Sequence, residues 1–326
     1  MTSAPAHLRY FGLLLAGLLS CFALPASAQQ YPSQPIKIII PTPPGGVADI
    51  VGRAFALKLS ESGKTAIAEN KTGATGTIAA DFVAKSPPDG YTVYVGFHAT
   101  QAILPHLMKL PYDAAKDFAP VSLVAKSSNV LVVHPSVPAQ SMKELVAYAK
   151  ANPKKLTYAS QGNGSSGHIV AEQLKQIAGI DIVHVPYRGA APAVQDLIAG
   201  HVSIMFDIQT LAVPQVTSGK VRALAVAAPR RIAELPDVPT TAEVGMPELE
   251  GGPWFGLLVP AGTPRPIVEW LNAEATKAFS ATDMRERLTA QGLTLPLGSP
   301  EDFSRHIVAE TKRWGDVISA AGIKME

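Results

Sequence analysis

Ser165, Ser166 and His168 stand within one short segment, Gly162-Asn-Gly-Ser-Ser-Gly-His168. A hydroxyl beside an imidazole becomes a nucleophile once the ring takes its proton. That chemistry also needs an orienting carboxylate and an oxyanion hole, which one local segment does not supply. The chain has no G-x-S-x-G elbow and no H-E-x-x-H pair. The same segment matches G-x-G-x-x-G, the phosphate turn of dinucleotide-binding units. There the next strand should close on an acid, but it ends in Val185-Pro186, with Asp181 ahead of it. It also misses the P-loop, because His168-Ile169 replaces Lys-Ser/Thr. A further reading is a helix start whose free N–H groups hold a small anion.

Three other glycine turns share this setting: Pro41-Thr-Pro-Pro-Gly-Gly46, Asn70-Lys-Thr-Gly-Ala-Thr-Gly76 and Tyr187-Arg-Gly-Ala-Ala-Pro192. Each follows a short apolar run and precedes a helical pattern, so each would sit at the carboxyl end of a strand, where open α/β sheets bind ligands. Lys71 and Arg188 are their cations. Backbone and hydroxyl donors would therefore carry the recognition, which suits a small carboxylate better than a polyphosphate. His98 and His168 fall at strand-to-helix junctions and serve as ligand donors or as caps. His184 alternates within a strand as a core histidine does. Asp207 ends a strand, as a helix cap or a ligand contact.

The elements that must position these groups alternate. Ile36–Ile40, Ala66–Ala68, Tyr91–Val95 and Val130–Val133 read as strands, as do Leu156–Ser160, Ile182–Val185, Val202–Phe206, Ala223–Val226 and Trp254–Val259. Between them Val47 to Leu59, Ile78 to Val83 and His168 to Ala178 follow helical spacing. Ser141-Met-Lys-Glu144 is a capping box, and Thr263-Pro264 and Ser299-Pro300 read as cap and first turn. Strand–helix alternation implies α/β with largely parallel sheets. Two similar sets imply two lobes, crossing near 125–129 and 250–254, with the carboxyl tail returning to the first.

Composition sets the outer limits. The 326 residues are 47% hydrophobic and 17% charged, with a net charge of +2. That supports a packed core and excludes a polybasic nucleic-acid binder. His7 and Arg9 precede the apolar run Phe11–Leu24, and Ala26-Ser-Ala28 follows, the pattern of a secretory signal cleaved after Ala28. Lipoprotein processing at Cys21 is the alternative. Cys21 is the only cysteine, so neither an internal disulfide nor a thiolate metal cluster is expected.

The chain resembles the extracytoplasmic solute receptors of the tripartite tricarboxylate transporter system, the Bug family. The matching stretches are Tyr31 to Gly46 with Asp49, Glu69 to Gly76, Ser86 to Thr92, Tyr112-Asp113 with Lys116 to Val121, Gly162 to His168, Val185 to Ala193, Asp196 to Gly200 and Leu235 to Thr240. The resemblance implies a two-lobed, type II periplasmic-binding fold with mixed, largely parallel sheets and a hinged cleft. Residues 29–127 and 253–326 would form one lobe and 128–252 the other. It implies first-lobe ligand contacts at Pro44, Gly45, Gly46, Val47, Thr75, Gly76, His98, Ala99 and Thr100. Second-lobe contacts would be Asn163, Gly164, Ser165, Ser166, His168, Tyr187, Arg188, Ala190 and Asp207. Thr42-Pro-Pro44 and Arg188 depart from common family residues, which bears on ligand identity. The implied protein is a periplasmic, monomeric receptor without cofactor, metal or catalytic residue. It would pass a small carboxylate to membrane transporter subunits, or present it to a sensor kinase. The secreted hydrolase is the competing reading.

Overall fold

The computed structural model of the protein describes residues 31–249 and 251–324. The expected signal segment, its cleavage after Ala28 and Cys21 lie outside the described residues.

The chain from Gln34 onward is one compact unit. It opens with β1 (Ile36–Ile40), whose four isoleucines are fully buried, as a central strand covered on both faces requires. The glycine turn then starts α1 (Val47–Glu61), with β2 (Ala66–Asn70) and α2 (Thr77–Ala84) after it. Next come β3 (Thr92–Phe97), a π-helical turn Ala99–Ile103, the short α3 (Leu104–Leu107) and β4 (Phe118–Lys126).

The chain crosses at Ser127-Ser128 into β5 (Asn129–Val133) and α4 (Met142–Ala151). There follow β6 (Thr157–Ser160), α5 (Ser166–Ala178), β7 (Val183–Pro186) and α6 (Ala190–Ile198). This half closes with β8 (Ile204–Ile208), α7 (Gln209–Thr217) and β9 (Arg222–Ala227). A return crossing leads to β10 (Trp254–Pro260), α8 (Arg265–Ser280), α9 (Thr282–Thr289) and α10 (Pro300–Ala321).

The two sheets share one plan, with orders β2-β1-β3-β10-β4 and β7-β6-β8-β5-β9. In each, a single strand delivered by a crossing, β10 or β5, runs antiparallel to both neighbours. The other strands share one direction, so the sheets are mixed and largely parallel. The crossings lie side by side: Ser127 N–H donates to Pro253 O at 2.9 Å and Asn129 N–H to Gly251 O at 3.4 Å.

Two details differ from the sequence expectation. The strand expected over Val202–Phe206 runs over Ile204–Ile208, so Asp207 lies inside it. Thr263 donates its hydroxyl to Pro260 O at 2.7 Å and does not cap α8; the N-cap is Pro264. Ser299 does form the expected capping box with Asp302. Ser141 accepts the Glu144 N–H at 3.2 Å, while the Glu144 carboxylate reaches back to Gln140 N at 2.7 Å.

α10 packs on β4 and on the π-helical turn, and also meets α5 of the second half. Its buried Phe303, Trp314 and Ile318 join one hydrophobic cluster that runs from Ile39 and Tyr94 to Leu131, Tyr158 and Leu174. Among the described residues, no helix is long and apolar enough to cross a membrane.

Candidate functional site

All four glycine turns lie at carboxyl ends of parallel strands: after β1 and β2 in one sheet, and after β6 and β7 in the other. His98 follows β3, and Asp207 is the penultimate residue of β8, near the equivalent place.

The turn after β1 is tied down by Asp49, which is buried in the first turn of α1. One carboxylate oxygen accepts Gly45 N–H at 3.0 Å; the other accepts Arg53 Nε at 2.9 Å and Asn70 Nδ2 at 2.8 Å. Burial works against this charge, but the Gly45 N–H, the Asn70 amide and the Arg53 guanidinium outweigh it and hold the carboxyl below the usual range. Asn70 also donates to Thr42 O at 2.9 Å, joining the first two turns. Pro44 and Gly45 are exposed, and Val47 is buried.

In the second turn Thr75 holds φ at 51°, a left-handed value unusual for a branched residue. That strained backbone points its hydroxyl across the molecule, where it donates to Asn163 O at 3.0 Å. Gly76 next to it has φ +87°, and a Cβ there would lie 2.8 Å from the Phe97 ring, so only glycine fits.

The facing segment is built on the start of α5. Ser165 is its N-cap and accepts His168 N–H at 3.3 Å. Gly164 N–H donates to His168 Nδ1 at 3.1 Å. Ser166 N–H donates to His98 Nε2 of the first half at 3.2 Å, and the Ser166 hydroxyl donates to Asn129 Oδ1 at 3.3 Å. Burial lowers the His98 pKa to about 3, opposed more weakly by the Trp254 backbone, so the ring is a neutral acceptor. Neither serine hydroxyl bonds the His168 ring. Ser165, Ser166 and His168 thus make a capped helix start and not a nucleophile–base pair.

Asp207 is 1% exposed and accepts Ile208 N–H at 2.8 Å and Gln161 Nε2 at 3.4 Å. Burial raises its pKa to about 7 despite these two donors.

The remaining expected residues divide. Gly189, just before Ala190, comes within reach of the first turn, a Cβ there lying 3.8 Å from Pro43 Cγ. Arg188 is exposed beside it. Tyr187 turns its hydroxyl to Asp196 at 2.6 Å. Ala99 and Thr100 are fully buried, and the Thr100 hydroxyl bonds Tyr94 at 3.0 Å, facing the core.

Two residues on these segments were not singled out from sequence. Asn129 Nδ2 and Gln161 Oε1 are buried side-chain atoms without a partner in the chain, as is Thr42 Oγ1 on the first turn. Leaving such a group unpaired costs about 1–3 kcal/mol, so a polar guest would find ready partners. The one available signal was position: Gln161 immediately precedes Gly162. Among the described residues no group of three or more His, Cys, Asp or Glu could hold a metal ion.

The family model for the tripartite tricarboxylate transporter family receptor, TctC, matches residues 51–323. The chain belongs to that receptor family. Protein BugT of Bordetella pertussis is 36% identical over 307 residues, covering 93% of this chain and 94% of BugT. Among solved structures, Rpa4515 of R. palustris with adipate superposes with a TM-score of 0.85 at 36% identity, covering 90% of this chain and 99% of that one. MatC of Rhodopseudomonas palustris with bound malate gives 0.83 at 35% identity, covering 88% and 100%. The receptor therefore has the α/β solute-binding fold of these proteins.

Proposed function

We propose that this receptor captures a small carboxylate between the glycine turns of its two sheets and delivers it to membrane subunits of a tripartite tricarboxylate-type transporter. The observation that carries the reading is the direct meeting of the two sets of turns, through Thr75 with Asn163 and Ser166 with His98. Residues 29–127 with 253–326 act as one lobe and 128–252 as the other, hinged at the paired crossings. Backbone N–H groups at the starts of α1, α5 and α6 supply the positive ends of helix dipoles. That explains how a chain with a net charge of only +2 holds an anion. Adipate and malate in two similar structures support the ligand class. Closure lets both lobes donate to one ligand, so affinity and hinge position are coupled. The protein is exported, its signal removed after Ala28, and works as a monomer.

A melting-temperature screen with mono-, di- and tricarboxylates tests this. At 100-fold excess over Kd a ligand adds about 2.7 kcal/mol of stability, an obvious upward shift. Ser166→Ala should weaken the same ligand while leaving the unliganded melting temperature within a few degrees. No shift with any carboxylate would remove the reading.

A further inference from the structure

Beneath the Gly162–Gly164 turn lies a stack of three rings. His168 of α5 and His184 of β7 have centroids 4.3 Å apart at 11°, and Tyr158 of β6 covers His184 at 4.6 Å and 14°. Each histidine holds one end of the turn. His168 Nδ1 accepts Gly164 N–H at 3.1 Å. His184 Nε2 bonds Ser160 Oγ at 2.7 Å, and that oxygen accepts Gly162 N–H at 3.2 Å.

The Gly164 bond requires a bare lone pair on His168 Nδ1, so the neutral ring carries its proton on Nε2. A second proton taken from water can enter only at Nδ1. It would consume the lone pair and set two N–H groups against each other. It would also place a cation 4.3 Å from a second titratable ring.

The charged neighbours offset this only in part: burial outweighs the Glu172 carboxylate, which favours the charged ring, and Lys175 opposes it. Glu172 on α5 is held by Lys175 Nζ at 2.7 Å and by the Tyr158 hydroxyl. Lys175, on the same helix, lies 5.9 Å over the Tyr158 ring and adds a like charge. From the first half, His98 faces the start of α5 as a neutral acceptor.

We propose that His168 is a positioning residue that clamps the ligand turn only while neutral, so that its protonation frees Gly164 and releases the ligand. This rests on the carboxylate-receptor reading above. Burial lowers both histidines to about 4, with His168 as the next cause at His184. The release window therefore lies around pH 4, under the ordinary histidine range.

The test uses the mature receptor, with malate and adipate as probes, by calorimetric titration from pH 8 to pH 4. Each protein's affinity is referred to its own value at pH 7, and wild type is compared with His168→Asn, so that the ligand's own ionisation cancels. Wild type should lose about twofold more affinity than the variant between pH 6 and pH 4, because a ring titrating near 4 is half protonated at the lower end. His184→Phe removes the neighbouring charge, so its loss should begin at higher pH. In ligand-free wild type, the Gly164 amide resonance should move with the midpoint of the His168 ring. Identical pH profiles for wild type and His168→Asn, or a Gly164 amide that stays flat through the His168 titration, would overturn the clamp. If neither probe binds at any pH, the wider carboxylate screen decides the receptor reading, while the Gly164 titration still decides the clamp.

Discussion

A carboxyl that titrates near pH 7 inside a solute receptor has consequences for stability. Asp207 keeps its proton in the folded protein up to about pH 7, whereas the unfolded chain gives it up near the ordinary aspartate value of 3.8. Between those values the unfolded state holds fewer protons, so this group's contribution to stability is full in acid and lost as pH rises. Asp207→Asn removes the titration. Its stability relative to wild type should improve from pH 4 to pH 7 and then level off, by a few kcal/mol in denaturant melts. A difference independent of pH would mean that Asp207 does not bear this burial cost. Residue types and spacing singled out His98, Ser166, His168 and Asp207, because each sits where a strand meets a helix. They did not show which way a side chain turns. Thr100 was expected at the site, but its hydroxyl is used by Tyr94; Gln161 was passed over although its amide meets Asp207. Such partners come from strands far apart in sequence, and no local pattern records them.

Among the elements, the glycine turns were legible because positive φ, strand ends and helix starts leave local marks. β4 was not. Its sequence, Phe-Ala-Pro-Val-Ser-Leu-Val-Ala-Lys, carries Pro120 in its interior, which argues against a strand. It is tolerated because β4 is an edge strand, with β10 as its one neighbour in the sheet order and register shifts along the pair. The π-helical turn after His98 was equally hidden, since Thr100 and Gln101 are polar yet buried. The paired crossings give a sharper test. A Cβ on Gly252 would lie 2.0 Å from Ser127 O, a backbone atom that already belongs to the neighbouring crossing. Gly252→Ala should therefore destabilise the protein by about 3 kcal/mol, read as a lower urea midpoint at unchanged slope. An unchanged midpoint would show that the crossings part easily.

At the scale of the whole molecule, one hydrophobic cluster joins the two sheets through α10. Both halves should therefore melt together, although each has a sheet of its own. Scanning calorimetry should give a single transition, with van't Hoff and calorimetric enthalpies in agreement. Two resolved transitions would show that the helix does not couple the halves. Sequence reasoning reached the two sets of strands and the return of the tail to the first. It missed that α10 also meets α5, because a helix with one apolar stripe does not announce two partners.

The strand order also inverts the order of birth. The second sheet has its last strand once Ala227 has been made, whereas the first sheet, begun at Ile36, lacks an interior strand until Trp254–Pro260 arrive. The half synthesised first is therefore completed last. A chain emerging amino end first keeps β3 and β4 unjoined until about four-fifths of its 326 residues exist. That delay leaves the facing edges of β3 and β4 unpaired through most of synthesis, a window in which a stray strand could pair with either.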